Sequence, residues 1–347
     1  MPDVTTTQPR RGTTELHPRW RATLGDYVVA LGISADGQLC VIGAGDGRVV
    51  GLDVTSGREL FAVHAHHGGV LDVSIAPDGS RFATCGPEPT AKIWSRTGAL
   101  IRELPGTRGT WVEHVAWSPA GARLAIAAGR RFRVCGPDGE PMFDSDTLPS
   151  TVTGLTWRDD GTSLAAICYG GVHIVPFVAG AKPRTLAWKG SLISIAWSPD
   201  GKVVACGSQD SSVHFWRMAS GHDSQMSGYP FKPKALAWDH ESKLLATGGD
   251  ATITTWDFRG KGPENTHPIV LAAHKGVCTQ LAFRPRSGVL ASGSQDTSVL
   301  LWDPRRGAQE IGFAFLDDEV TALVWDRTGR ALAGADASGG VTLWEVA

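Results

Sequence analysis

The stretch LAFRPRSGVLASGSQDTSVLLWD, residues 281–303, decides how the rest of the chain is read. The apolar triplet LAF meets the polar, Gly-containing turn RPRSG. The small-residue run VLASGS then leads through a second polar turn, QDTS, into VLLWD. Short alternating or apolar runs punctuated in this way are the pattern of antiparallel strands, and a fourth run near EIGFAF completes a meander. Helical periodicity with caps is absent, so no helix is expected.

The opening phrase recurs along nearly the whole chain, and self-similarity at a fixed period is the mark of a repeat architecture. It ends at Gly37 (LGISADG), Gly79 (VSIAPDG), Gly121 (VAWSPAG), Gly161 (LTWRDDG) and Gly201 (IAWSPDG). Three more copies end at Ser242 (LAWDHES), Gly288 (LAFRPRSG, with one inserted residue) and Gly329 (LVWDRTG). Successive spacings are therefore 42, 42, 40, 40, 41, 46 and 41. A tally of third strands agrees: GLD at 51, KIW at 92, RVC at 133, HIV at 173, HFW at 214, TTW at 254, LLW at 300 and TLW at 342.

The tryptophans keep the same register. Trp117, Trp157, Trp197, Trp238 and Trp325 end first strands, whereas Trp94, Trp216, Trp256, Trp302 and Trp344 end third strands. Trp20, Trp111 and Trp188 stand outside this pattern. A sheet of four short strands cannot bury both faces alone, so the units must stack, and stacked twisted antiparallel sheets close radially into a propeller. That removes a difficulty of length, because 347 residues exceed the roughly 250–300 at which a single core stops growing. Small cores between neighbouring sheets replace one oversized core.

Composition narrows the function classes. Thirteen tryptophans and 42% hydrophobic residues exclude a disordered chain, and no apolar run approaches the roughly 18 residues of a membrane-spanning helix. Thirty-three basic against 35 acidic residues leave a net charge of -2, so no overall field steers the chain toward nucleic acid or an anionic membrane, and neither partner is expected. Residues 1–18 read as a polar tail without the apolar core of a secretory signal, which leads us to expect a cytoplasmic protein. Cys40, Cys85, Cys135, Cys168, Cys206 and Cys278 lack CxxC spacing and are expected to be buried, reduced thiols.

Over residues 19–347 the chain resembles the WD-repeat propeller family. The resemblance implies a hydrogen-bonded tetrad in each well-formed unit. In unit seven it falls on His274, Ser292, Asp296 and Trp302, followed by Asp303. Unit two offers His66, Thr84, Glu88 and Trp94, with Glu where the family has Asp. Unit five keeps Asp210 and Trp216 beside Cys206 and Trp188, and unit six keeps Thr247, Asp250 and Trp256 with Tyr229 in the histidine place. Units three and four lack the tetrad, and unit one has Asp46 and Leu52-Asp53. Trp238-Asp239 and Trp325-Asp326 look like the name-giving dipeptide but end first strands. The two tallies lead to an all-β, single eight-bladed propeller of four-stranded antiparallel blades. Residues 19–24 are expected to supply the outer strand of the last blade and so close the ring.

No HExxH, phosphate loop or GxSxG occurs, so no catalytic residue and no cofactor is expected. The expected function is a non-catalytic scaffold for a protein or peptide partner, acting as a monomeric propeller or as part of a larger assembly. The candidate face holds Trp111, Glu113, Arg130, Arg131, Tyr169, Trp188, Lys189, Gln209, Tyr229, Lys275 and Gln295, with His67 and Asp318 nearby. An aromatic with a charged neighbour is the chemistry of interface hot spots, and Trp111 and Trp188 draw attention because the repeat does not account for them. Two other readings stay open: metal handling through His64, His66 and His67, and an enzyme with a site in the central channel.

Overall fold

The computed structural model describes residues 13–346 apart from 107, 108, 261 and 265. Among the described residues every regular element is a β-strand except one 3-10 turn, Pro304–Arg306. In repeat seven, Cys278–Phe283, Leu290–Ser294, Ser298–Asp303 and Gln309–Phe315 pair antiparallel in chain order. First strands touch one another in succession from Val28–Ile33 round to Val320–Trp325 and back, so they form the inner wall of a closed ring.

The repeated phrase builds the turn at the end of each inner strand. In repeat five Ser198 Oγ donates to Asp200 (2.7 Å) and accepts from the Val203 N–H (2.9 Å), while Gly201 turns the chain at φ +65°. Ser242 takes that left-handed place in repeat six at φ +58°, a conformation L side chains adopt at a cost. There the buried Asp239 replaces the turn serine, its Oδ1 accepting from the Lys243 and Leu244 N–H groups. Asp326 does the same for Ala331. The look-alike Trp-Asp pairs thus owe their aspartates to turn closure.

First-strand tryptophans stitch neighbouring inner strands together. The indole N–H groups of Trp157, Trp238 and Trp325 donate to the carbonyls of Ala116 (2.9 Å), Ala196 (3.3 Å) and Ala282 (3.0 Å), each one repeat back. Hydrophobic clusters fill the junctions between neighbouring repeats, for example Ala246, Ile253, Leu271, Leu290 and Trp302 between six and seven. Burial of such side chains stabilises the ring by roughly 1.5–3 kcal/mol each. All six cysteines are buried free thiols within these layers.

One expectation needs correction. Counted as hydrogen-bonded sheets, the propeller has seven blades, not eight, because repeats four and five share one six-stranded sheet. Ser163–Pro176 runs through the second and third strands of repeat four without a break, turning at Gly170 and Gly171, and Arg184–Trp197 carries the chain from the fourth strand of repeat four into the first of repeat five. A tally of strand phrases cannot register that fusion. The blades are otherwise built of four antiparallel strands, and Thr14–Glu15 adds a short parallel strand at the edge of repeat seven, opposite Gly312 and Phe313.

The same N-terminal segment then crosses to the last blade. Pro18–Thr23 pairs antiparallel with Gly340–Glu345, and Trp20 lies against Gly57 of repeat one while its indole donates to the Val54 carbonyl (2.8 Å). Within the tail expected over 1–18, residues 1–12 lie outside the described residues, whereas residues from Thr14 onward are strand-forming.

Candidate functional site

Repeat seven shows how the polar groups behind the loop end are satisfied. The Trp302 indole donates to Ser292 Oγ (2.8 Å), which lies 2.7 Å from His274 Nε2. His274 Nδ1 lies 2.8 Å from Ser298 Oγ, and that hydroxyl donates to Asp296. Ser298 has one proton and gives it to the carboxylate, so His274 Nδ1 carries the hydrogen and Nε2 accepts from Ser292. Direct approach of His274 to Asp296 is longer, at 3.5 Å. Burial alone would raise the Asp296 pKa, but hydrogen bonds from His274, Ser298 and the Lys275 N–H outweigh it and hold the carboxyl well below its usual range.

Repeat two reaches the same end with a longer acid. His66 Nε2 lies 2.7 Å from Thr84 Oγ1, which accepts from Trp94, and His66 Nδ1 meets Glu88 at 2.5 Å. The extra methylene of Glu88 spans the gap that Ser298 fills in repeat seven. In repeat six Tyr229 replaces the histidine: its hydroxyl accepts from the Trp256 indole (2.8 Å) and lies 2.9 Å from Thr247 Oγ1. Tyr229 therefore fills the histidine place, as its position in the repeat implied, and is half-buried in the blade rather than free on the face. Trp188 departs in the same way. It is half-buried against the core of repeats four and five, with its ring centroid 3.9 Å from that of His214.

The loops between fourth and first strands, and between second and third strands, gather at one end of the ring. Trp111 is 57% exposed there, immediately ahead of Val112–Trp117, and Tyr169 is 52% exposed at the hairpin of repeat four. Arg130 and Arg131 are exposed, yet their Nε atoms anchor residues 147–148 by donating to the Leu148 carbonyl and Thr147 Oγ1. Lys189 is exposed where the strand Arg184–Trp197 passes from repeat four to repeat five, Gln209, Lys275 and Gln295 are exposed on neighbouring loops, and Asp318 and His67 on others. Four residues of this end escaped the sequence reading: Tyr27, Phe231, Lys232 and Lys234, all exposed. The phrase FKPK directly before a first strand was the available signal for three of them.

A carboxylate–imidazole pair bridges the neighbouring inner strands Asp72–Ile75 and Val112–Trp117, with Asp72 Oδ2 3.9 Å from His114 Nδ1 and Glu113 next to it in the chain. Burial raises the Asp72 carboxyl to about 7 against hydrogen bonds from the Val115 and Val73 N–H groups, and burial also lowers His114 and raises Glu113. The histidine cluster does not converge. His66 is buried with both ring nitrogens engaged, while His64 and His67 are exposed with ring centroids 5.3 Å apart. Among the described residues no three His, Cys, Asp or Glu side chains gather as metal ligands, and no helix is long and apolar enough to cross a membrane.

An inner ring of first strands, outer third strands closed by Trp, and His-Ser/Thr-Trp hydrogen-bond chains define a repeat propeller of the WD type. The WD domain, G-beta repeat model matches residues 57–95, 182–217, 220–257 and 266–303, the repeats whose third strands end in Trp94, Trp216, Trp256 and Trp302. The chain belongs to the WD-repeat β-propeller family. It is 28% identical to the transcriptional corepressor LEUNIG_HOMOLOG of Arabidopsis thaliana over 79% of this chain and 35% of that protein. It is likewise 28% identical to a ribosome biogenesis protein WDR12 homolog of Chlamydomonas reinhardtii, over 80% of this chain and 62% of that one. A WD repeat-containing protein WDS homolog of Arabidopsis thaliana is 25% identical over 70% and 48%. The chain thus spans between about a third and three fifths of the length of these relatives. Among solved structures, the computationally designed Ika8 protein superposes with a TM-score of 0.77 at 20% identity, covering 96% of this chain and 98% of that one, a likeness of fold.

Proposed function

We propose that this protein is a non-catalytic interaction scaffold whose loop end docks a protein or peptide partner. The observation that carries the reading is Trp111, a large aromatic 57% exposed immediately ahead of the inner strand Val112–Trp117. Exposed aromatics on a rigid frame offer large contact area at small entropic cost, and Tyr169 and Phe231 repeat the arrangement around the same end. The relatives support the class, being corepressor and biogenesis factors rather than enzymes by name. Affinity capture with the wild-type chain and with Trp111→Ala and Tyr169→Ala variants tests it. A partner retained at full strength by both variants would contradict the reading.

The Asp72–His114 pair supports a rival reading, a channel-site enzyme. Asp72 nevertheless accepts from the backbone of repeat three at Val115 (3.1 Å), and its neighbour Ser74 accepts from Trp117 (3.0 Å). Those bonds assign Asp72 to the seam between repeats two and three.

A further inference from the structure

We infer that the loop end over repeats five to seven is a binding arc for an acidic peptide segment, formed by Lys189, Lys232, Lys234 and Lys275 around Phe231. The inference rests on the docking reading above and deepens it by giving the partner a charge.

The four lysines belong to three consecutive repeats. Lys189 precedes the inner strand of repeat five, Lys232 and Lys234 flank Pro233 ahead of Ala235–Trp238, and Lys275 precedes Cys278–Phe283. These strands are neighbours in the ring, and Ser194 Oγ of repeat five donates to the Pro233 carbonyl (2.9 Å), fixing the FKPK loop over the junction. All four side chains are exposed, none makes an ion pair among the described residues, and Phe231 among them is 55% exposed. The acids of the same loops keep their charge but are held within their own turns rather than paired with these lysines: Asp210 accepts from Ser212 (2.6 Å), Asp250 from Thr252 (3.4 Å), and Asp296 from Ser298 and the Lys275 N–H. Four ammonium groups outside the ion pairs of the described residues, set about an aromatic ring, suit carboxylates flanking an apolar side chain.

The adjoining loops, ahead of repeats eight and one, have the opposite sign. Asp317 and Asp318 are exposed there, with Asp26 and Glu319 half-buried beside them. Burial and then the charge of Glu319 push the Tyr27 phenol up, which sets that carboxylate against the first repeat. Those carboxylates beside the arc repel a nucleic acid, negative along its whole length, whereas a polypeptide can place its acidic stretch on the lysine arc alone.

Selection of a random dodecamer peptide display library on the full chain, followed by anisotropy with fluorescein-labelled winners, tests the inference. Winners should be rich in Asp and Glu with an apolar residue. The Lys232→Glu/Lys234→Glu variant should bind them at least about tenfold more weakly, and the Lys→Gln pair should show a smaller loss. Both lysines are exposed, so thermal unfolding should be unchanged. Neutral or basic winners, or acidic winners indifferent to these changes, would overturn the inference. If such winners are still lost in Trp111→Ala, docking at the loop end survives and only the charge assignment falls. If no winner responds to Trp111 or to the lysines, both fall. Labelled oligothymidylate binding through the same lysines more tightly than any peptide would give the arc to nucleic acid and overturn the proposal.

Discussion

The Tyr229 hydroxyl accepts a hydrogen bond from the Trp256 indole at 2.8 Å, doing with one oxygen what a histidine and a hydroxyl do together in repeats two and seven. Tyr229→Phe leaves that buried indole without its acceptor and should cost about 1–3 kcal/mol in urea denaturation. Unchanged stability would show that the phenol is dispensable.

Ser298 relays between His274 and Asp296, so Ser298→Ala should destabilise by about 1–3 kcal/mol even though it removes a single oxygen. Asp296 has a lowered pKa in the folded state. Its contribution is therefore present above the ordinary carboxylate range and is lost as pH falls through the lower folded value. The stability difference between wild type and Asp296→Asn should be largest near neutrality and shrink only in strong acid; a constant difference from pH 7 down to the acid limit would contradict this.

Which parts of the structure could be read in the sequence follows from what repeats. First-strand tryptophans and their spacing were legible because the same packing problem recurs at each junction. The seven-sheet count was not, because it depends on whether the chain between Trp188 and Leu192 stays extended, a backbone matter with no side-chain signature. Ser298 escaped because a serine after Asp reads as turn chemistry, and Phe231, Lys232 and Lys234 escaped because loop residues have no period to betray them. Tyr229 and Trp188 were read both as stand-ins at tetrad places and as face residues; burial decides between the two, and a sequence does not show how far a large side chain turns inward.

Burial lowers the pKa of His66, His114, His173 and His214, so the unfolded chain takes up their protons first and stability should fall as pH drops below about 6.5. Asp72 works in the other sense. Its folded pKa is raised to about 7, and its contribution is present below the ordinary value of 3.8 and is lost as pH rises toward 7. Melting temperatures of Asp72→Asn relative to wild type should therefore climb between pH 4 and 7. A flat difference would show that Asp72 is solvated like a surface acid.

The N-terminal segment clasps two sheets through residues 14–15 and 18–23. Trp20→Ala should cost about 3 kcal/mol or more, as removal of a buried tryptophan does elsewhere. Gly57→Ala should approach it, because the left-handed backbone (φ +72°) resists a side chain and the new Cβ would meet the Trp20 ring at 2.7 Å. Chemical denaturation of both variants checks the clasp, and a Trp20→Ala loss below about 1 kcal/mol would show that it adds little.

Docking at the loop end is tested most directly by hydrogen–deuterium exchange on the chain with and without a captured partner. The account predicts slowed exchange in residues 24–27, 167–172 and 227–234, with the turns at 34–38 and 198–202 unchanged. Protection confined to those turns, or to the outer strands, would contradict it.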